Sequence, residues 1–170
     1  ESNLPELLDD LINQEYPLNK FEIIIVNDRS SDSTPEILKT ASDNYAFIKT
    51  ININKKSKVM TSKKNAVNEG IKLSKGEIIL ATDADCRMGA LWIASMAYSL
   101  MNKNGIIIGY SEISDIKKSY FEKYQKLDFL AILIANAGAS GWNQYWSGTG
   151  QNLAYYKKDY FEIGGFHPVK

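Results

Sequence analysis

Glu77-Ile-Ile-Leu-Ala-Thr-Asp-Ala-Asp85 is the stretch that decides the fold of this chain. Its apolar part has the length and composition of a strand that is buried on both faces, as in a parallel sheet. An earlier run, Phe21-Glu-Ile-Ile-Ile-Val26, has the same character and leads into Asp28. Ligands of open α/β sheets bind beyond the carboxyl ends of the strands. We therefore expect Asp28, Asp83 and Asp85 to meet at one ligand site.

Helical segments separate these strands. Apolar residues recur at helical spacing over Leu4–Ile12, and a hydroxyl cap followed by proline begins a second helix at Ser33. The alternation of strands and helices predicts an α/β fold with a mostly parallel sheet and helices on both faces. The other expected helices are 61–73, 91–101, 117–137 and 160–163, and the other expected strands are 47–53, 105–109 and 151–156.

Composition excludes several classes of protein. The chain of 170 residues has 20 Lys plus Arg and 20 Asp plus Glu, so no overall charge attracts nucleic acid. Cys86 and His167 are the only cysteine and histidine, which excludes an internal disulfide and argues against a thiolate or multi-histidine metal site. No signal peptide is visible, and the longest apolar run, 129–135, is too short to span a bilayer. We expect a cytoplasmic protein, held at the cytoplasmic face of the membrane if parts of the parent protein outside these residues attach it there. We expect this run to form a buried helix or a shallow contact with a membrane surface.

Asp83 and Asp85 are candidates for holding a metal ion. Their side chains point to the same side as long as the backbone stays extended. A hard cation such as Mg²⁺ takes one or two protein carboxylates and fills its shell with phosphate oxygens and water. The pair therefore predicts a site for a nucleotide diphosphate that is held through its metal. The alternative is that both acids only cap turns before the next helix.

Asp28 and two lysines are candidates for binding the nucleotide itself. A carboxylate at the end of a strand, followed by small polar residues, can accept a hydrogen bond from a base N–H group. An ordinary polar turn with Asp32 or Ser33 as cap is the alternative. Lys63 and Lys64 open a helix, where ammonium groups and free backbone N–H groups can bind phosphate. A solvated loop is the alternative for the lysines.

The acceptor side of the site has weaker candidates. Trp142, Tyr145 and Trp146 predict either a stacking wall for a sugar or packing in a core or lid. Gln151 and Asn152 are candidates for hydrogen bonds to sugar hydroxyls, and Asn152 equally fits the end of a strand.

Four motifs occur in order along the chain: Asn27-Asp-Arg-Ser-Ser-Asp-Ser-Thr34, Lys63-Lys-Asn-Ala-Val-Asn-Glu-Gly70, Thr82-Asp-Ala-Asp85, and Gly150-Gln-Asn-Leu-Ala154 with Phe161-Glu-Ile-Gly-Gly-Phe166. Together they resemble the family-2 glycosyltransferases with the GT-A fold. The resemblance implies an inverting transfer of a sugar from a UDP- or GDP-linked donor to a saccharide or lipid-linked acceptor, with Mg²⁺ or Mn²⁺ as cofactor. It also implies one partial domain over 1–170, with a nucleotide-binding half at 1–110 and the start of an acceptor-binding half at 111–170.

The motifs also imply a role for each candidate. Asp28 resembles the acid that contacts the base, and Asp83 resembles the acid that contacts the nucleotide. Asp85 resembles the metal ligand, with Asp83 beside it. Lys63 or Lys64 resembles the lysine near the nucleotide.

The chain departs from the family pattern at both ends. Members begin with a further strand that lies beside those carrying Asp28 and Asp83, and Glu1 follows the place where that strand ends. We therefore expect unpaired sheet edges and self-association through them. Members carry the catalytic base beyond the Gly-Gly-Phe motif, and Lys170 precedes that position. No catalytic base is thus expected within the chain, and the isolated fragment is expected to be inactive.

Two other functions stay open at this point. A sugar nucleotidyltransferase also places a metal-binding acid on such a sheet, but its glycine-rich signature with arginine is not found near this N-terminus. A non-catalytic module would bind a nucleotide diphosphate without needing a metal, or would bind none.

Overall fold

The computed structural model describes residues 1–103, 105–113, 119–145, 147–148 and 150–166. Strands and helices alternate along most of the chain, which confirms the predicted α/β class. The helices are α1 (Leu4–Ile12), α2 (Thr34–Asn44), α3 (Ser62–Leu73), α4 (Trp92–Met101), α5 (Tyr120–Gly141) and α6 (Lys157–Glu162), with a short 3₁₀ helix at Leu18–Lys20. The strands are β1 (Ile23–Asp28), β2 (Ile48–Ile53), β3 (Ile78–Thr82), β4 (Ile107–Ile108) and β5 (Asn152–Tyr156).

The first sheet is the parallel pair β1–β2, in which Ile23 lies opposite Ile48. Successive side chains of a strand point to opposite faces, so β1 can pack against helices on both sides. Ile23 and Ile25 belong to the core that β1 and β2 share with α1 and α2. On the other face, α3 comes close at Gly70, where an added Cβ would lie 3.3 Å from Val26 Cγ2. Helices cover both faces of this pair, as predicted.

The second sheet has the strand order β3-β5-β4, and both of its pairings are antiparallel. Ala154 of β5 lies opposite Leu80 on one side and Ile107 on the other. Met96 and Leu100 of α4 pack with Ala154 in a second core. The parallel arrangement predicted from the sequence therefore holds for β1 and β2 but not for this sheet, because β5 follows the long helix α5 and returns against β3.

An open slot lies between the two sheets. Within the described residues, β1 pairs only with β2 and β3 only with β5, so each has one open edge. The slot is a cavity of about 860 Å³ lined by both strands, with Ile24, Ile79 and Ala81 among its apolar side chains. The unpaired sheet edges expected from the sequence are therefore present.

The long helix α5 begins at a capping box. Ser119 Oγ accepts a hydrogen bond from the backbone N–H of Glu122, and the Glu122 carboxylate accepts one from the backbone N–H of Ser119. Ala139 is the one buried residue among those described in this helix. The prediction of a buried helix at 129–135 is therefore wrong, because neither hydrophobic core includes a residue of α5. In the part of the chain that the structure describes, no helix is long and apolar enough to cross a membrane.

Candidate functional site

The carboxyl ends of β1 and β3 meet at a pocket of about 580 Å³. Asp28 is the last residue of β1, and Asp83 and Asp85 follow the end of β3. Lys63, in the first turn of α3, lines the same pocket. The structure thus brings together four of the residues that the sequence singled out, although they come from three different elements.

Arg29 holds Asp28 in place, a contact that sequence reasoning missed. The φ angle of Arg29 is 62°, in the left-handed region that few residues other than glycine adopt. Its Nε donates to Asp28 Oδ1 at 2.7 Å and its Nη2 to Asp28 Oδ2 at 3.0 Å. Nη2 also donates to Ser62 Oγ at 3.0 Å. The hydrogen bonds from Arg29 lower the pKa of Asp28 below its ordinary value, so this carboxylate is ionised at neutral pH.

Side chains also shape the turn after β1. The buried Asn27 donates through Nδ2 to Asn52 Oδ1 at 3.0 Å, which ties the ends of β1 and β2 together. Asp32 Oδ1 accepts from the backbone N–H of Thr34 at 3.1 Å, at the start of α2. The predicted hydroxyl cap at Ser33 is wrong, since its backbone (φ −76°, ψ 8°) lies outside the extended region that suits a capping side chain. Asp32 takes that place.

The two lysines at the start of α3 point to different neighbours. Lys63 Nζ lies 2.7 Å from Asp83 Oδ2, and 64% of the Lys63 side chain is exposed. Lys64 Nζ lies 6.0 Å from the centre of the Phe166 ring and is not among the residues that line the pocket. Lys63 is therefore the lysine that can meet an anionic ligand at the acids, and a role for Lys64 stays a prediction.

Asp85 is exposed and lines the pocket beside Asp83. Over the described residues, no group of three or more His, Cys, Asp or Glu side chains could hold a metal ion. Two carboxylates beside an open pocket nevertheless suit Mg²⁺ or Mn²⁺, which keep several ligands from water and phosphate. The extended backbone expected at this pair is not found, because the chain turns after Asp83 and the N–H of Cys86 donates to the Asp83 carbonyl at 3.2 Å. The fit of the donor set to a cation held together with a phosphate ligand therefore rests on both carboxylates lining the pocket.

Asn152 uses its side chain within the protein. Its Oδ1 accepts from Trp92 Nε1 at 2.9 Å, and its Nδ2 donates to the backbone carbonyl of Tyr110 at 2.9 Å. These bonds join α4 and the segment after β4 to β5. They agree with the alternative that Asn152 closes the end of a strand, and its contact with a sugar stays a prediction.

The other acceptor-side candidates are largely at the surface. Trp142 is 83% exposed and Tyr145 is 80% exposed, so neither is a core residue. Gln151 is half-buried. Trp146 and His167 lie outside the described residues.

Residues 1–170 match the family described as Glycosyl transferase family 2. The chain belongs to this family. Among the relatives of this family-2 chain, the probable glycosyltransferase YdaM of Bacillus subtilis (strain 168) is 29% identical over 164 residues, which are 95% of this chain and 39% of that protein. The poly-beta-1,6-N-acetyl-D-glucosamine synthase of Staphylococcus epidermidis is 32% identical over 130 residues, 75% of this chain and 30% of the synthase. The family-2 chain thus spans less than half the length of these relatives.

A solved structure shows the same fold. The mannosyltransferase PcManGT from Pyrobaculum calidifontis, in complex with GDP-Man and Mn²⁺, superposes with a TM-score of 0.67 at 21% sequence identity. The match covers 97% of this family-2 chain and 44% of the mannosyltransferase. The predicted GT-A fold is therefore confirmed.

Proposed function

We propose that the protein is an inverting glycosyltransferase that binds a nucleotide diphosphate sugar at the carboxyl ends of β1 and β3. The observation that carries this proposal is that Asp28, Lys63, Asp83 and Asp85 line one open pocket. Such a pocket offers a hydrogen-bond acceptor for a base at Asp28 and an ammonium group for phosphate at Lys63. It also offers the two carboxylates of Asp83 and Asp85 for a metal ion. Membership of family 2 favours glycosyl transfer over sugar nucleotidyl transfer.

In this proposal Asp28 recognises the base. Its carboxylate is ionised and oriented by Arg29, so it can accept a hydrogen bond from an N–H group of uracil or guanine. Its side chain is 19% exposed, which leaves it accessible from the pocket. Both bases present such a donor, and we therefore propose a UDP- or GDP-linked donor.

Lys63, Asp83 and Asp85 act on the diphosphate. Lys63 can donate to a phosphate oxygen from its position beside Asp83. Asp85, with Asp83, would hold Mg²⁺ or Mn²⁺, and a bound cation stabilises the charge that develops on the leaving diphosphate. The mannosyltransferase of the same fold, solved with GDP-Man and Mn²⁺, supports the use of a divalent cation.

The acceptor is proposed to be a saccharide or a lipid-linked saccharide. The similarity to a poly-beta-1,6-N-acetyl-D-glucosamine synthase supports an acceptor of this class, as in the cell envelope. Exposed aromatic side chains at Trp142 and Tyr145 are suited to stack on sugar rings. The base that removes the proton of the acceptor hydroxyl is proposed to lie outside residues 1–170.

Calorimetric titration of the chain with UDP and GDP, with and without Mn²⁺, tests the nucleotide site. We expect one of the two nucleotides to bind, and Mn²⁺ to tighten its binding. Asp85→Asn keeps the shape of the side chain but removes its charge. It should reduce the increase in nucleotide affinity that Mn²⁺ gives by at least about tenfold. Asp43→Asn is the matched control, because Asp43 lies on the exposed face of α2 in an ion pair with Lys39.

Two results would count against the proposal. Binding that Mn²⁺ does not affect would favour the non-catalytic nucleotide-binding module. An equal loss of affinity in Asp85→Asn and Asp43→Asn would show that the effect does not arise at the pocket.

The open edges of β1 and β3 support a second proposal, that copies of this chain associate through them. An unpaired strand edge presents backbone N–H and C=O groups to any strand that can reach them. Sedimentation velocity over a hundredfold range of concentration should show a monomer giving way to larger species. Hydrogen exchange should slow at the same concentrations in the amides of β1 and β3. A monomer at every concentration would contradict the proposal.

A further inference from the structure

One face of α1 binds the segment that follows Asp83 and Asp85. Glu6, Asp10 and Gln14 are spaced four residues apart, so they lie in one row along α1 and just beyond its end. The buried leucines of α1 face the core shared with β1 and β2. This helix is therefore packed on the sheet that carries Asp28 while its polar row faces the segment after Asp85.

The strongest link in this row is between Arg87 and Asp10. Arg87 Nε donates to Asp10 Oδ2 at 2.6 Å, and Arg87 Nη2 donates to Asp10 Oδ1 at 2.8 Å. Asp10 Oδ2 also accepts from the backbone N–H of Met88 at 3.0 Å, and Arg87 Nη1 donates to Glu6. A two-bond fork of this kind fixes direction as well as distance. The Asp10 side chain is 13% exposed, so water competes little for it.

Gln14 adds a second attachment. It is a buried polar residue, 6% exposed. Its Nε2 donates to the backbone carbonyl of Gly89 at 2.9 Å, and its Oε1 accepts from the backbone N–H of Ile93 at 3.0 Å. The backbone N–H of Glu15 donates to the carbonyl of Ala90 at 2.8 Å. The segment from Arg87 to Ile93 is thus fixed to α1 at several successive points.

We propose that Asp10, Gln14 and Arg87 are positioning residues that keep Asp83 and Asp85 at a fixed position relative to Asp28. They would thereby set how tightly the site binds a divalent cation together with a nucleotide diphosphate. This inference rests on the proposed function. Arg87 is two residues from Asp85, so its influence passes through the backbone and needs no contact with the ligand.

The first test uses the ligand-free protein. Cys86 is the only cysteine, it is free, and it lies between Asp85 and Arg87. Cys86 is half-buried, and its rate of reaction with an uncharged maleimide rises as this segment loosens and exposes the thiol further. Asp10→Asn and Arg87→Lys should each raise that rate severalfold, since each weakens a charged hydrogen-bonded pair. Lys39→Ala, which removes an exposed ion pair on α2, is the control and should leave the rate unchanged.

The second test compares nucleotide affinity with and without Mn²⁺ at a temperature where every variant is folded by circular dichroism. Asp10→Asn and Arg87→Lys should reduce the gain from Mn²⁺ by about tenfold, as the loss of a group supporting a metal ligand does. Affinity without metal should stay within about twofold. The double variant should be no worse than the worse single variant, because the two residues form one unit.

The outcomes separate this inference from the proposed function. An unchanged Cys86 rate in both variants would overturn the positioning role. A faster Cys86 reaction with an unchanged gain from Mn²⁺ would overturn only the link to the cation. Wild-type protein with no dependence on Mn²⁺ would overturn the proposed function and that link together, and a faster Cys86 reaction would then establish the positioning role alone.

Discussion

The two sheets of this domain are assembled in different ways. β1 and β2 come from one strand-helix-strand segment and pair in parallel. β3 finds its neighbour in β5, which lies beyond α5, and pairs with it antiparallel. Each sheet still carries part of the candidate site. Asp28 ends β1 of the first sheet, and Asp83 and Asp85 follow β3 of the second. The site therefore depends on the relative position of two sheets that share no strand pairing among the described residues.

Side chains make the connection that the strands do not. On one side of the domain, the polar row of α1 holds the segment after β3. Elsewhere, Tyr160 of α6 donates its hydroxyl to Asn68 Oδ1 of α3 at 3.0 Å, and both residues are buried. A few buried polar contacts thus align a candidate site that is divided between two sheets.

The largest loss of stability should come from truncating a buried side chain in either core. Leu38 in α2 and Leu100 in α4 are 2% and 0% exposed. Leu38→Ala and Leu100→Ala should each lower the free energy of unfolding by ~2–5 kcal/mol, because each leaves a cavity. Urea unfolding followed by circular dichroism and by tryptophan fluorescence measures both variants. If the two sheets form one cooperative unit, the two probes will coincide in every protein.

Leu127→Ala is the matched control, since Leu127 is 66% exposed on α5. It should change the free energy of unfolding by less than about 0.5 kcal/mol. A transition that splits in two when only one core is weakened would show that the sheets are independent units.

A smaller effect is expected at the contact between α3 and α6. Tyr160→Phe removes the hydroxyl donor and leaves Asn68 Oδ1 buried without it, which should cost ~1–3 kcal/mol of unfolding free energy. Tyr98→Phe is the control, because Tyr98 is 71% exposed on α4. Equal stability of the two variants by urea unfolding would mean that this contact does not help to join the sheets.

The smallest effect on stability is expected at the link between α1 and the segment after β3. This effect should depend on pH. The hydrogen bonds from Arg87 hold the pKa of Asp10 below its ordinary value. A lowered pKa stabilises the fold above the pKa of the unfolded chain, and that contribution is lost as the pH falls toward the folded value. Wild type should exceed Asp10→Asn by about 1 kcal/mol at pH 7, since Arg87 is half exposed to solvent.

Urea unfolding at a series of pH values checks this difference. The advantage of wild type should shrink as the pH falls below about 4, where Asp10 of the unfolded chain takes up a proton. An advantage that stays constant down to the lowest pH at which both proteins fold would contradict the ion pair as its source.

Local patterns predicted the first sheet better than the second. The apolar run before Asp28 and the one before Asp83 each gave a strand within two residues of the observed bounds. The strand that pairs with β3 could not be predicted from local patterns. The pairing between residues 78–82 and 152–156 depends on how α5 turns the chain. The acids of the candidate site were predictable, since each lies at the end of a strand or just after it.

The contacts that orient those acids were not predictable. The bond between Arg29 and Asp28 requires a left-handed backbone at Arg29, which no local preference favours. The fork between Arg87 and Asp10 joins positions that only the packing of α1 against the segment after β3 brings together. Sequence patterns thus located the acidic residues that line the pocket, and long-range packing decided their orientation.

The fork between Arg29 and Asp28 has an energetic consequence for recognition. Both carboxylate oxygens of Asp28 already accept a hydrogen bond, and Ser62 anchors the arginine in turn. Each oxygen keeps a further lone pair, so a donor that enters the pocket adds to these bonds and displaces none of them. The rotational freedom of Asp28 is lost when the chain folds, before any ligand arrives. In the proposed function, an incoming base would therefore meet a rigid acceptor, and less of its binding energy would go into ordering the protein.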